Sequence, residues 1–392
     1  MTGARALVLY ARSVPAGLHR SVADTVVTRL RLSEGSVPKF ARRNRYVSFW
    51  LEDYSSMSYM GDWRDAFQTS PGLDADLCNI SDLLDFPRAL RRIREYEVVV
   101  VLHSAAGDNL EPIRRATAPL QQRRGPLAIF FGNEYSRMPE KIGFARDVGA
   151  EFIASQLPIE SARWLYAECP AARILPAPAA LNPAVFRATG GRRPIDVGFR
   201  GALYADPFAL GDEERTELLR YFEDRAASLG LVTDIKFERH PSAKWAAFLN
   251  RCKGTIGAES GTYFLERDDS TRKNVVAYVS EHRKATFGEV FEHFFAQYPN
   301  PVSGKAISSR HFEPIGTKTC QILLAGDYNG ILQPDRHYIS LKKDYSNIDE
   351  VVRRFRDDDY RADLVGRALE HVLSEHTYAH RVTRVLQEIL GR

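Results

Sequence analysis

Short apolar runs alternate with stretches of helical period from the start of the chain. ALVLY (6–10), VSFW (47–50), EVVVVLH (97–103), LAIFF and EFIAS (151–155) read as strands. DFPRALRRIREY (85–96), NLEPIRRATAPLQQ (109–122) and PEKIGFARDVG (139–149) read as helices between them. Val98–Leu102 is apolar without a break, the pattern of a strand buried on both faces of a parallel sheet. Pro139 near a helix start and Gly149 at its end are ordinary helix punctuation. Strands and helices of these lengths in alternation predict βαβ units and a doubly wound domain.

The pattern breaks at RILPAPAALNPAVFRATGGRRP (173–194), a proline-rich stretch with a Gly pair, and the cut between units is expected near 185–193. It then restarts. IDVGFRG (195–201), TDIKFE (233–238), KGTIGAE (253–259), QILL (321–324) and HYISL (337–341) read as strands. Helices are expected over 213–230, 242–252, 287–298 and 309–319, with a helical tail over 347–391 broken at Asp357-Asp358-Asp359. The expected fold class is α/β, two Rossmann-like doubly wound domains. Phe291, Phe294, Phe295 and Tyr298 recur at helical spacing and read as core, as do His337 and Tyr338 at a strand start.

The size agrees with this reading: 392 residues exceed the about 250–300 at which single cores stop growing. The net charge is +4, with acidic and basic residues interspersed, so no nucleic-acid stripe stands out. The tilt toward positive charge admits an anionic membrane face as a peripheral partner. Cys78, Cys169, Cys252 and Cys320 lie far apart with no zinc spacing; Cys252 and Cys320, in apolar surroundings, read as core thiols, which fits a reducing cytoplasm. No run approaches the about 18 apolar residues of a membrane span, and the N-terminal apolar run is too short for a signal peptide. A GxGxxG fingerprint is absent, which argues against a nicotinamide enzyme.

In open parallel sheets, ligands bind outside the carboxyl ends of the strands. Those ends read His103-Ser104, Asn133-Glu134-Tyr135, Arg200-Gly201 and Glu259-Ser260-Gly261, all polar or ionisable. SSRHFE (308–313) adds Arg310, His311 and Glu313 at the start of a predicted helix, with Ser308 or Ser309 as its N-cap. As ordinary structure, Ser309 would cap, Glu313 would complete a first-turn pairing and Arg310 would be solvated.

R-H-F-E followed by a small-residue helix and QILL, with SEHTYAHR (374–381) and the hinge ILPAPAALNPAVF (174–186), resembles GT-B-fold glycosyltransferases. Within them it is most similar to the group-1 and spore-coat-type branch with an R-x-F-E motif. The resemblance spans roughly 174–385 and is strongest over 305–385. It implies an acceptor-side domain over 1–188, a nucleotide-sugar donor domain over 189–375, and a C-terminal helix over 376–392 returning to the first domain. Closure about the hinge would keep water from a reactive donor. One departure is plain. The residue eight positions after Glu313 is Gln321, where many such enzymes carry a second glutamate.

The resemblance implies a hexosyltransferase-like enzyme. It would move sugar from a nucleotide-sugar such as a UDP- or GDP-sugar, with no other cofactor, to a hydroxyl of a glycan or lipid-linked intermediate in polysaccharide biosynthesis. A diphosphate leaving group calls for positive charge and helix N-termini, and a ribose diol for a carboxylate. Arg200, Gly201, Glu259, Ser309, Arg310 and Glu313 are accordingly the expected donor-binding residues, with Glu313 on the ribose. No D-x-D motif stands at a strand end in the second half, and Asp268-Asp269 falls in an irregular stretch, so arginines in place of a metal cation are expected. On the acceptor side His103, Asp108 and Glu134 are the candidate catalytic residues. An imidazole of ordinary pKa about 6.5 suits proton abstraction near neutrality, while His103 as a satisfied buried histidine is the plainer alternative. The expected location is cytoplasmic, with room for contact at the inner face of a membrane. A nucleotide-sugar epimerase of the same fold and a non-catalytic sugar- or nucleotide-binding module are the alternatives.

Overall fold

The computed structural model describes residues 3–391 apart from 15–16, 33–43, 52 and 205. The chain forms two compact units. The first comprises Met1–Ser155, Tyr166–Leu175 and Val382–Arg392, and the second Gln156–Leu165 and Pro176–Arg381.

The first unit carries a six-stranded sheet of order β2-β1-β3-β4-β5-β6. The strands are β1 (Ala4–Tyr10), β2 (Leu73–Asn79), β3 (Val98–Val101), β4 (Leu127–Phe130), β5 (Phe152–Ser155) and β6 (Arg173–Pro176). β1 pairs in parallel with both β2 and β3, so the order reverses between β1 and β3. Val98–Val101 are fully buried, as the unbroken apolar run predicts. The strand β2, LDADLCN, is not evident from the sequence. It is an edge strand whose aspartates face solvent, so it lacks the apolar density of β3.

Four helices matter in this unit or beside its strand ends: α1 (Gly17–Arg29), α2 (Arg45–Leu51), α3 (Ser58–Gln68) and α4 (Met138–Asp147). VSFW, expected as a strand, is the body of α2. The β-propensity of Val, Phe and Trp is a weak preference. Here arginines win by satisfying the helix end: Arg20 donates to the Phe49 carbonyl (2.6 Å), and Arg12 to those of Trp50 (3.3 Å) and Leu51 (3.1 Å).

The second unit holds a five-stranded sheet of order β11-β10-β9-β7-β8. Its strands are β7 (Ile195–Arg200), β8 (Thr233–Lys236), β9 (Cys252–Gly257), β10 (Cys320–Leu324) and β11 (Ile339–Leu341), each parallel to its neighbours. Helices α5 (Glu214–Arg225), α6 (Ser242–Leu249) and α7 (Ser309–Gly316) flank it. One core cluster gathers Trp245, Phe248, Phe312, Tyr328 and Tyr338, and another Leu219, Phe222, Ile322 and Phe355. Phe291 and Phe294 pack around Phe295 in a third, as their spacing predicts. The tail is three helices, 348–356, 358–375 and 378–390, and Asp357 caps the second through the Tyr360 N–H (3.0 Å). All four cysteines are buried and free.

Within this unit the segment 176–181 pairs with 376–381. The Leu181 N–H donates to the His376 carbonyl (2.9 Å), the Tyr378 N–H to that of Leu181 (3.2 Å), and Arg381 Nε to that of Pro178 (3.2 Å). No described helix is long and apolar enough to cross a membrane.

Candidate functional site

The helix α7 opens at the carboxyl end of the second sheet because of His311. The Ser308 N–H donates to His311 Nδ1 (3.0 Å), which leaves Nε2–H to donate to the Ala258 carbonyl just past β9 (3.1 Å). This reciprocal first-turn pairing uses histidine where glutamate is usual. Burial depresses the His311 pKa to about 4, so the ring is neutral. It tethers the helix and does not supply positive charge. Pro314 lies inside the helix and removes the bond to the Arg310 carbonyl.

Around this helix start the unit gathers guanidinium groups. Arg310 lies over the Trp245 indole (4.8 Å) and 3.7 Å from the Glu313 carboxylate. One Arg310 terminal nitrogen is buried without a hydrogen-bond partner, as is Arg215 Nε. The Arg215 guanidinium stacks on Tyr204 (3.9 Å). Burial lowers the Arg310 pKa, Glu313 opposes that, and Arg239 and Arg215 lower it further by like-charge repulsion. Arg215 and Arg239 thus lie within electrostatic reach of Arg310, and Arg310 and Arg215 each keep one buried nitrogen that makes no hydrogen bond.

Glu313 is 3% exposed and accepts the Trp245 indole N–H (2.7 Å). Ser309 is buried beside it. Glu259, at the end of β9, is also buried; it accepts the Tyr328 N–H (2.7 Å), and desolvation raises its pKa against the bonds from Tyr328 and Asp327. The Gly326 backbone presses on that carboxylate: a Cβ there would stand 2.4 Å from Oε2. Gln321, where the paired-glutamate pattern wants a carboxylate, donates its amide N–H to the His311 carbonyl (2.9 Å), which a carboxylate cannot do.

Arg200 turns inward. It donates to the Asp234 carboxylate and carbonyl (both 2.8 Å) and lies over the Phe248 ring (3.9 Å), so it braces β7 on β8. Its neighbour Gly201 makes room for the Phe199 ring, with a Cβ there 2.8 Å from it, rather than for an incoming ligand. Of the six expected donor residues, then, Glu259, Ser309, Arg310 and Glu313 lie around α7 and just past β9, while Arg200 pairs with Asp234, its buried Nε making no hydrogen bond, and Gly201 packs on the Phe199 ring.

Sequence reading missed Arg215, Trp245 and a buried ion cluster. In that cluster Lys305 pairs with Asp212 and Glu214 (3.1 Å to the latter), Lys343 pairs with Glu214 (2.6 Å), and the Tyr263 hydroxyl donates to Glu214 (2.9 Å). Ala306, next to Lys305, pairs with Ser260, next to Glu259. One signal was available. Arg215 sits in the first turn of a helix, where the macrodipole disfavours a cation. A depression of about 540 Å³ lined by Arg192, Asp196, Lys253 and Arg361 lies at the amino ends of the strands, away from this site.

In the first unit His103 follows β3 and is 1% exposed. Tyr59, Trp63 and Phe130 surround it at 5.2–6.0 Å between ring centroids, and neither ring nitrogen has a hydrogen-bond partner. Burial pushes its pKa down to about 3, so its ordinary titration near neutrality, on which the general-base expectation rested, is lost. Glu134 is 4% exposed and accepts the hydroxyls of Ser155 (2.7 Å) and Tyr166 (2.9 Å). Asp108 is the exposed carboxylate of the three, held by the Asn133 amide (2.6 Å) and facing Lys141 (3.8 Å). The buried Lys141, another residue the sequence did not flag, donates to the carbonyls of Gly132, Asn133 and Ser136 (2.6–2.9 Å).

Residues 261–387 match the family described as "Glycosyl transferase-like". The match includes Arg310–Glu313 and excludes Arg200, Arg215 and the first unit up to Ser155. No curated protein matches in sequence. Among solved structures, T4 phage BGT in complex with its UDP-glucose substrate aligns over 99% of this chain and 99% of its own, at 9% identity and TM-score 0.50. Sucrose-phosphate synthase from Thermosynechococcus elongatus aligns over 99% of both chains at 10% identity and TM-score 0.47. The two parallel-sheet units are those of the GT-B glycosyltransferase fold.

Proposed function

We propose that this protein is a glycosyltransferase whose second unit binds a nucleotide-sugar through the diphosphate. The observation that carries the reading is Arg310 at the start of α7, buried over Trp245 with one terminal nitrogen that makes no hydrogen bond, and within electrostatic reach of Arg215 and Arg239. Like charges that repel one another in a buried setting destabilise a fold unless an anion joins them. A helix N-terminus and guanidinium forks suit phosphate oxygens. The family match over 261–387 includes this helix and supports the same reading.

In the proposed reaction an acceptor hydroxyl oxygen bonds to the anomeric carbon of the donor. The carbon–oxygen bond to the diphosphate breaks, and the leaving group departs with the electron pair. The arginines stabilise the charge that grows on the diphosphate, taking the part a metal cation plays elsewhere. The buried Glu313, held by Trp245, fits a positioning role for Arg310 better than direct contact with a ribose. The exposed Asp108 is the acceptor-side carboxylate best placed to meet solvent and take the hydroxyl proton. The sugar, the R-x-F-E branch, a glycan or lipid-linked acceptor and a cytoplasmic setting remain part of this proposal.

The experiment is calorimetric titration with nucleoside mono- and diphosphates, beside transfer and hydrolysis assays over a panel of nucleotide-sugars. Wild type is expected to prefer diphosphates, and Arg310→Gln to lose about ten- to a hundredfold in affinity for them while affinity for monophosphates changes less. Absence of nucleotide binding and of any transfer across the panel defeats the proposal.

A further inference from the structure

Asp108 is exposed, yet its carboxylate is not left free. It ends the turn 103–108 that follows β3, and it reaches the neighbouring turn that follows β4. Oδ2 accepts the Asn133 side-chain amide at 2.6 Å, and Oδ1 faces the Lys141 ammonium at 3.8 Å. A surface carboxylate ordinarily samples several rotamers, and ordering it costs entropy. Here two groups from another strand end oppose that freedom, at the edge of a parallel sheet where ligands bind.

The turn after β4 is stiff. Lys141 in α4 is fully buried, and its ammonium draws the carbonyls of Gly132, Asn133 and Ser136 onto one point at 2.6–2.9 Å. Burying a charge is costly. Asn133 and Arg137 both hold left-handed backbone, φ 48° and 54°, which costs energy in any residue but glycine, though less in asparagine. Strain of this kind persists at sites where geometry is fixed for a task. The Asn133 amide is oriented from its other end, where Oδ1 accepts the Tyr135 hydroxyl (3.4 Å) and leaves the NH2 to Asp108. Backbone joins the two turns as well. The Gly132 N–H donates to the Ala106 carbonyl (3.1 Å), and a Cβ on Gly132 would stand 3.4 Å from the Gly107 Cα.

We propose that Asn133 is a positioning residue for Asp108. Its amide, fixed by Lys141 and Tyr135, sets the carboxylate at the angle from which it takes the acceptor hydroxyl proton. This rests on the reading of Asp108 as the acceptor-side base. In the step, the acceptor O–H proton passes to the Asp108 carboxylate as the acceptor oxygen bonds to the anomeric carbon, and the diphosphate leaves with the electron pair. Asn133 and Lys141 exchange no proton. A carboxylate has about four lone-pair sites; Asn133 takes one, and the exposed side keeps others for the proton.

The experiment measures steady-state release of nucleoside diphosphate from UDP-glucose and the rest of the donor panel, with water and methyl α-glucoside as acceptors. Asn133→Gly keeps the left-handed backbone and removes the amide. Asn133→Asp keeps the size and sets a like charge against Asp108. Each is expected to lower kcat about ten- to a hundredfold, with donor KM and diphosphate affinity within about twofold of wild type. In an Asp108→Asn background Asn133→Gly should add nothing, because the group it positions is gone. Melting is read on every variant, since a merely structural contact would move melting and not produce this non-additivity. Wild-type kcat in both Asn133 variants, or the same loss on top of Asp108→Asn, overturns the proposal and leaves the glycosyltransferase reading standing. Full transfer by Asp108→Asn overturns it as well, by removing the base. A wild type that releases no diphosphate from any donor defeats the function reading itself, and this inference with it.

Discussion

Trp245 gives its indole N–H to Glu313 at 2.7 Å and lies under the guanidinium of Arg310, so one aromatic ring orders both charges of the α7 opening. Trp245→Phe keeps the ring face and removes the donor to a buried carboxylate. We expect a loss of about 1.5–3 kcal/mol in unfolding free energy, the usual worth of a hydrogen bond to a charged group. Diphosphate affinity should fall with it, because Glu313 then holds Arg310 less firmly. Urea denaturation and titration of the same sample read both, and unchanged values for both contradict the arrangement.

Gly326 and Glu259 are matched in the same way. A methyl at 326 would stand 2.4 Å from Glu259 Oε2 and 2.8 Å from its carboxyl carbon. Gly326→Ala is expected to destabilise by about 1–3 kcal/mol through overpacking. In a Glu259→Ala background the same change should cost much less. A double-mutant cycle measures the difference, and strict additivity refutes the contact.

Gln321→Glu would set a carboxylate against the His311 carbonyl that the amide now satisfies. At neutral pH the charged form should cost about 2–4 kcal/mol relative to wild type. The folded state then favours the protonated acid, which can donate. The folded pKa is raised, and the deficit should shrink as pH falls. Parallel denaturation curves at pH 7.5 and 5.5 test this; a deficit that grows in acid contradicts it.

Burial holds His103 to a pKa of about 3, and His311 and His337 to about 4. The unfolded chain protonates all three near 6.5. Their neutral forms are therefore fully stabilising above pH 6.5, and that stability is lost as pH falls toward the folded values. For His311 alone the loss by pH 4 is on the order of 3 kcal/mol. His337→Asn keeps an acceptor for the Gln333 N–H, now bonded at 3.1 Å, without a titrating ring. Its urea midpoint should fall less steeply between pH 7 and 5 than that of wild type.

The α/β alternation, the buried strand Val98–Val101 and the second sheet were legible because apolar runs of that length leave few alternatives. VSFW was not, because its helix depends on Arg12 and Arg20, distant in sequence. The strand-end rule pointed to Glu259, and the charged helix start to Arg310 and Glu313, which the fold brings to the α7 opening. It said nothing of direction. Arg200 and Glu134 stand at strand ends yet turn into the fold, toward Asp234 and Tyr166. Arg215 and Trp245 reach the site from helices that look like packing alone. Such residues are brought to a site by tertiary structure, which leaves no local pattern in the sequence.

The pairing of Leu181 with His376 and Tyr378 bears on how the chain matures during synthesis. Leu181 leaves the ribosome before the second sheet exists, and its partners emerge after that sheet is complete. The first unit also waits, since Val382, Val385 and Ile389 belong to it and are buried. Domains usually fold in order as they emerge. Here neither unit reaches its final set of contacts until residues 376–391 have been made, so a ribosome stalled after β11 holds two unfinished cores. Chaperone engagement of such stalled chains should end only when residues 376–391 are free of the exit tunnel.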